Sequence, residues 1–232
     1  MNLILVPGFW LDADSWSKVI PPLEEGGHSV HPITLPGLES LEAVRSSITL
    51  SDHIDAVVAR VDSLSDPVVL VGHSAGGAIL HAAVDARPER IVRAVYVDSM
   101  PLGDGGNIAD DLPVVDGEVP LPEWSEFGEE ELVDLDDAGR NEFRARAIPE
   151  PARVASDQQL LGDDRRFDVP ATVITSAYPG SMIRELIGQG HAYTAELARI
   201  KDFEIVDLPT GHWPQFTRPA DLARAILAAV DR

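Results

Sequence analysis

A serine hydroxyl is chemically quiet at neutral pH, and the pentapeptide Gly72-His73-Ser74-Ala75-Gly76 has the composition of a device that changes this. A strand-like run, 67–71, precedes it and a helix-like run, 78–84, follows it. A chain turning that sharply from strand to helix puts its central serine in strained backbone angles, tolerated because the flanking residues are glycines, and lifts the hydroxyl above the sheet edge. A glycine-rich dinucleotide turn would need G-x-G-x-x-G near the start of the chain, and Gly72, Gly76 and Gly77 lack that spacing.

Such a serine needs a general base within hydrogen-bond reach, held in turn by a third group. His212, in Pro209-Thr210-Gly211-His212-Trp213-Pro214 just after the last expected strand, returns to the sheet edge that carries Ser74. His28 and His31 beside an early strand, His53 and His81 on helix-like segments, and His191 near a late one read as surface or core histidines. His73 adjoins the serine, but the turn directs its side chain away, which predicts a packing role. The orienting acid is expected at the end of another strand. Asp98, after Val95-Tyr96-Val97, meets that requirement and completes the order Ser, Asp, His; Glu185 is the alternative, because the loop 176–181 contains no carboxylate. Two backbone N–H groups must face the developing oxyanion. Ala75, following the serine, supplies one, and Phe9 in Pro7-Gly8-Phe9-Trp10 after the first strand supplies the other. Of the aromatic residues near these motifs, Trp10 and Trp213 have the strongest claim to line a substrate pocket.

These residues need a scaffold that brings several strand ends to one rim. Six β-branched apolar runs, 3–6, 29–34, 68–71, 94–97, 171–175 and 204–208, alternate with helix-like segments, which predicts an α/β protein with a mostly parallel central sheet and helices on both faces. Ligands bind such sheets beyond the C-terminal strand ends. The segment 219–230 reads as a closing helix, beginning with Pro219 and preceded by Thr217. Between residues 99 and 168 acidic residues and prolines accumulate without a core strand, and this stretch reads as a small cap inserted into a core formed by 1–98 and 169–232. Within it, 129–147 looks helical, interrupted near Gly139, with Asp136 or Asp137 as N-cap.

Oxyanion loop, serine turn, Asp98, cap and His212 occur in an order that resembles the α/β-hydrolase superfamily, especially the small capped esterases related to plant methylesterases and hydroxynitrile lyases. The resemblance implies an α/β-hydrolase fold and the chemistry of ester cleavage. It departs from that pattern at Pro7-Gly8, where relatives usually carry His-Gly, and in the acid, which many relatives place after the strand equivalent to 171–175.

The chain of 232 residues has 39 acidic against 18 basic side chains, a formal net charge of -21, which disfavours nucleic acid and anionic membranes as partners. It has no cysteine, so thiolate chemistry is excluded. No signal-like or membrane-spanning run is legible, and the expected setting is cytoplasmic. The expectation is a serine hydrolase acting on a small-molecule ester or lactone with no cofactor and no metal. A hydroxynitrile-lyase-like enzyme and a ligand-binding receptor on a hydrolase scaffold are the alternatives. A lyase would want a cation beside the site, and Lys18 and Lys201, the only lysines, lie outside every catalytic motif.

Overall fold

The computed structural model describes all 232 residues. Six strands, β1 (Asn2–Val6), β2 (Ser29–Pro32), β3 (Val68–His73), β4 (Ile91–Val97), β7 (Ala171–Thr175) and β8 (Phe203–Asp207), form one sheet in the order β2-β1-β3-β4-β7-β8. Every neighbouring pair is parallel. The expected strands are all present, within a few residues of their expected limits.

Strand side chains alternate between faces, and the sheet is buried on both. Leu3, Leu5, Val69, Val71, Val95, Val97 and Ile174 pack with Leu23 of α1 (Ile20–Glu25) and with Leu222 and Ile226 of α8 (Pro219–Val230). Their neighbours Ile4, Val6, Val68, Leu70, Tyr96 and Val173 point the other way, against α2 (Leu50–Asp62) and α3 (Ala75–Ala86). α2 is fixed at its start by a reciprocal capping box between Thr49 and Asp52. α8 spans the expected 219–230, but its N-cap is Arg218 and Thr217 ends the preceding short helix α7 (Pro214–Thr217).

Strand order reverses between β1, whose chain crosses to β2 on one side, and β3, which continues toward β8 on the other. The loops leaving β1 and β3 therefore diverge and open a crevice at their C-terminal ends.

Residues 99–168 contain a short antiparallel strand pair, β5 (Glu118–Val119) and β6 (Glu150–Pro151), with α4 (Asp137–Arg146) between them in sequence and α5 (Ala152–Ser156) after them. The helix expected over 129–147 begins only at Asp137. Asp136 caps it by accepting the Gly139 N–H at 2.8 Å, so Gly139 lies in the first turn and interrupts nothing. Residues 129–135 form turns whose backbone is engaged elsewhere, as described below. Val119, Leu135, Phe143, Ile148 and Val154 join the same apolar cluster as the sheet, so this stretch has no separate core.

Candidate active site

Ser74 follows β3 directly, with φ 51° and ψ −124°, a conformation that L side chains rarely adopt. The surrounding chain holds it there: Ser74 N–H donates to Val97 O at 3.1 Å, and the Ser99 hydroxyl donates to Ser74 O at 2.6 Å. Close approach requires glycine on both flanks of the crevice. A Cβ at Gly76 would run into the carbonyls of Val6 and Pro7, and one at Gly8 would come within 2.9 Å of the Ser74 Cβ. The loop after β1 is thereby pressed against the serine turn.

His212 Nε2 lies 2.9 Å from Ser74 Oγ, and His212 Nδ1 lies 2.7 Å from Asp98 Oδ2. Three residues spread over 138 positions of sequence thus meet at one rim. Asp98 is itself left-handed, with φ 42°. Its other oxygen, Oδ1, accepts the N–H groups of Ser176 at 2.7 Å and Ala177 at 3.1 Å. The loop after β7 carries no acid and instead supplies donors that orient one. Burial alone would raise the Asp98 carboxyl, but the hydrogen bond and charge of His212, with those two N–H donors, hold it below its ordinary value. An ionised Asp98 accepts from Nδ1–H, which leaves the Nε2 lone pair facing the serine hydroxyl. Glu185 lies exposed on α6 (Gly180–Gly188), bonded to Gln189, away from this chain of contacts.

The N–H groups of Phe9 and Ala75 have no acceptor within the chain, and both residues line the cavity that Ser74 and His212 open onto.

Several supports carry no legible sequence signal. His73, fully buried, donates from Nε2 to the His212 carbonyl at 2.6 Å and accepts at Nδ1 from Gln215 at 3.3 Å. Burial, helped by the nearby His212, pushes its pKa down to about 3, so it stays a neutral clamp. On the other side, His212 N–H donates to Glu131 O at 2.7 Å and Gly211 N–H to Val133 O at 3.0 Å, which is where the turns of 129–135 spend their carbonyls. His73 faces away from the serine as expected, but it acts as a hydrogen-bonded clamp and not as mere packing, and His212 is gripped at both its N–H and its carbonyl.

Behind the loop after β1 sits a second buried group. Trp10, left-handed at φ 66°, donates its N–H to Glu150 Oε2 at 3.4 Å and its indole N–H to Val119 O at 3.1 Å, while its carbonyl accepts from Ile148 N–H at 3.0 Å. Glu150 is 1% exposed, and burial pushes its carboxyl up to about 8. Its Oε1 lies 3.7 Å from Nδ1 of the fully buried His53, which burial lowers to about 4 and whose Nε2 donates to Pro36 O at 2.8 Å.

The cavity has a volume of about 770 Å³. Phe9, Trp10 and Phe127 contribute aromatic wall, and Ala78, Leu102 and Ile108 aliphatic wall. Trp213, expected to line a pocket, does not: it is 1% exposed and packs edge-on against Trp124, Phe127 and Phe143, with ring centroids 5.2–5.8 Å apart. Tyr178 is exposed and bonded to Glu130. No lysine lines the cavity, since Lys201 pairs with Asp168 and Lys18 lies beside a separate hollow near α4. No group of three or more His, Asp or Glu side chains is arranged to hold a metal ion, and no helix is long and apolar enough to cross a membrane.

A family model described as "Alpha/beta hydrolase family" matches residues 3–225. Methylesterase 3 of Arabidopsis thaliana is 35% identical over 103 residues, covering 43% of this chain and 39% of that protein. Salicylic acid-binding protein 2 of Nicotiana tabacum is 35% identical over 102 residues, covering 41% of this chain and 38% of that one. These alignments therefore span about two-fifths of the curated relatives. An extracellular alpha/beta-hydrolase from a Paenibacillus species, described as sharing structural and functional homology with the tobacco protein, superposes over 99% of this chain and 98% of its own, with a TM-score of 0.79 at 21% identity.

Proposed function

The chain belongs to the alpha/beta hydrolase family, and on that footing we propose that it is a serine hydrolase cleaving a carboxylic ester or lactone through an acyl-enzyme intermediate. The observation that carries this reading is the unbroken run of contacts from Ser74 Oγ through His212 to Asp98. His212 Nε2 takes the hydroxyl proton as Ser74 Oγ attacks the carbonyl carbon; Asp98 stabilises the imidazolium that forms. The carbonyl oxygen, now negative, is met by the free N–H groups of Phe9 and Ala75, each such donor contributing on the order of 3 kcal/mol. Imidazolium returns the proton to the leaving alkoxide, and water, activated by the same nitrogen, releases the acid. Every proton starts and ends on a group in the chain, the alcohol or water, so the cycle runs without a cofactor.

Residues 99–168 serve in this reading as a cap: Phe127, Ile108 and Leu112 close the cavity from above. One of the named relatives is a methylesterase, so methyl esters of small carboxylic acids make the first substrate panel, with lactones beside them. Replacing Ser74 by alanine is expected to abolish ester turnover and labelling by a fluorophosphonate while leaving the thermal unfolding transition in place. Turnover retained by Ser74→Ala would overturn the assignment.

A further inference from the structure

The cavity has a polar far end that the proposed chemistry does not use. Glu196, in the stretch before β8, is 7% exposed and lines the cavity. Its Oε1 is fully engaged, accepting from Arg166 Nε at 2.8 Å and paired with His81 Nε2 at 3.1 Å. His81 is held in turn by the Tyr96 hydroxyl at 2.7 Å, and Arg166 by Asp85 at 3.2 Å. The carboxylate is therefore locked in place by groups that do not reach its second oxygen. Oε2 makes no hydrogen bond: the nearest cation, Arg199 Nη1, stands 3.8 Å away, half exposed, stacked on Phe167 and shared with Asp164. Gly103 leaves this oxygen uncovered, since a methyl group there would sit 3.3 Å from it.

Burial would raise the Glu196 carboxyl, but the hydrogen bonds from His81 and Arg166 hold it below its ordinary value, so it is charged at neutral pH. Outside the Ser74, His212 and Asp98 group, the charged cavity walls are Asp104, Glu131 and Glu196 against Arg199 alone. An ionised oxygen that reaches the cavity with no hydrogen bond, in a wall that carries more carboxylates than cations, is positioned to accept from a cationic donor.

The reach is set by α3. His81, which touches Glu196, lies seven residues beyond Ser74, a displacement of about 10 Å along a helix rising 1.5 Å per residue. Ala78, on α3 between the two, adds apolar lining, as do Leu102 and Ile108. We propose that Glu196 Oε2 forms a distal subsite for a primary ammonium, so that the preferred ester carries an apolar arm ending in an amine about 10 Å from the reacting carbonyl. This rests on the serine-hydrolase reading only for which end of the ligand reacts.

The test compares the ethyl esters of an eight-carbon ω-amino acid and of nonanoic acid, which differ by an ammonium in place of a terminal methyl. Calorimetry on Ser74→Ala protein measures binding of the intact esters without turnover. The amino ester is expected to bind about 10- to 100-fold more tightly, the range of a charge-assisted hydrogen bond. The ratio is expected to collapse toward one in Ser74→Ala/Glu196→Gln and to fall in Ser74→Ala/Gly103→Ala; the second variant crowds Oε2 with a methyl 3.3 Å away and keeps the carboxylate and both of its partners, Arg166 and His81. Equal affinities in the Ser74→Ala protein, or a ratio that survives both second substitutions, would overturn the subsite. Turnover by the unsubstituted enzyme is read separately: a retained binding ratio with neither ester cleaved supports the subsite and sinks the hydrolase reading.

Discussion

Glu150 pulls the stability of the fold down across a pH window in which the lowered histidines are completing their titration and the lowered carboxylates have finished theirs. Its carboxyl has an ordinary pKa of 4.5 and is pushed up to about 8 where it lies buried between Trp10 N–H and His53, with Arg45 the nearest positive charge. A raised acid binds its proton more tightly in the folded state, so its contribution is complete below 4.5 and is lost progressively as pH climbs to 8. His53 acts in the opposite sense. It is lowered from 6.5 to about 4, so stability is gained as pH rises through that interval, and His73, lowered to about 3, does the same. Between 4.5 and 6.5 the two histidine slopes outweigh the single carboxyl slope and stability rises; above 6.5 the histidine slopes fade within about one pH unit, and Glu150 alone continues downward. From pH 6.5 to 8 the Glu150 contribution falls by about 1.5 units at 1.36 kcal/mol each, on the order of 2 kcal/mol, while each histidine lowered from 6.5 returns about 0.4 kcal/mol as its unfolded form loses its last protons. Urea unfolding at intervals across this window measures it directly. Glu150→Gln keeps an acceptor for Trp10 N–H and offers His53 Nδ1 a donor, and its stability is expected to gain on that of the unsubstituted protein by on the order of 2 kcal/mol over the same range. If Glu150→Gln declines as steeply as the unsubstituted protein, the slope does not come from this carboxyl and the reasoning fails.

Asp98→Asn is expected to lower kcat by about 10³- to 10⁴-fold with little change in KM, because the amide favours the wrong imidazole tautomer; steady-state kinetics on a methyl ester checks it. Gly76→Ala drives a methyl into the carbonyls of Val6 and Pro7, and is expected to lower both the melting temperature and the rate of fluorophosphonate labelling. Trp213→Ala empties the centre of the aromatic cluster beside His212 and is expected to cost about 3–5 kcal/mol in chemical denaturation.

What the sequence discloses here is what local backbone rules dictate. Ser74, Asp98 and His212 were legible because each follows a strand in a parallel sheet, and such strands deliver their ends to one rim whatever the intervening loops do. The flanking glycines of Ser74 and the open N–H of Phe9 follow from the same logic. His73, Glu131, Glu150 and Glu196 stayed opaque because their significance depends on partners 30 to 142 positions away, with no period or motif to announce them. Trp213 misled for a related reason: adjacency to the histidine says nothing about which side of the backbone its ring takes. Residues 129–135 have helical composition, yet their carbonyls bind the strand of chain bearing His212, and tertiary demand overrides local preference.

That last connection bears on how substrate enters. Because Glu131 and Val133 accept from the backbone of His212 and Gly211, the roof of the cavity and the imidazole share a skeleton. A roof that swung away whole would carry the base with it and break its alignment with the hydroxyl below. The walls free to move without disturbing the imidazole are 102–112 and 192–199, which line the same cavity and have no backbone bond to the histidine's loop.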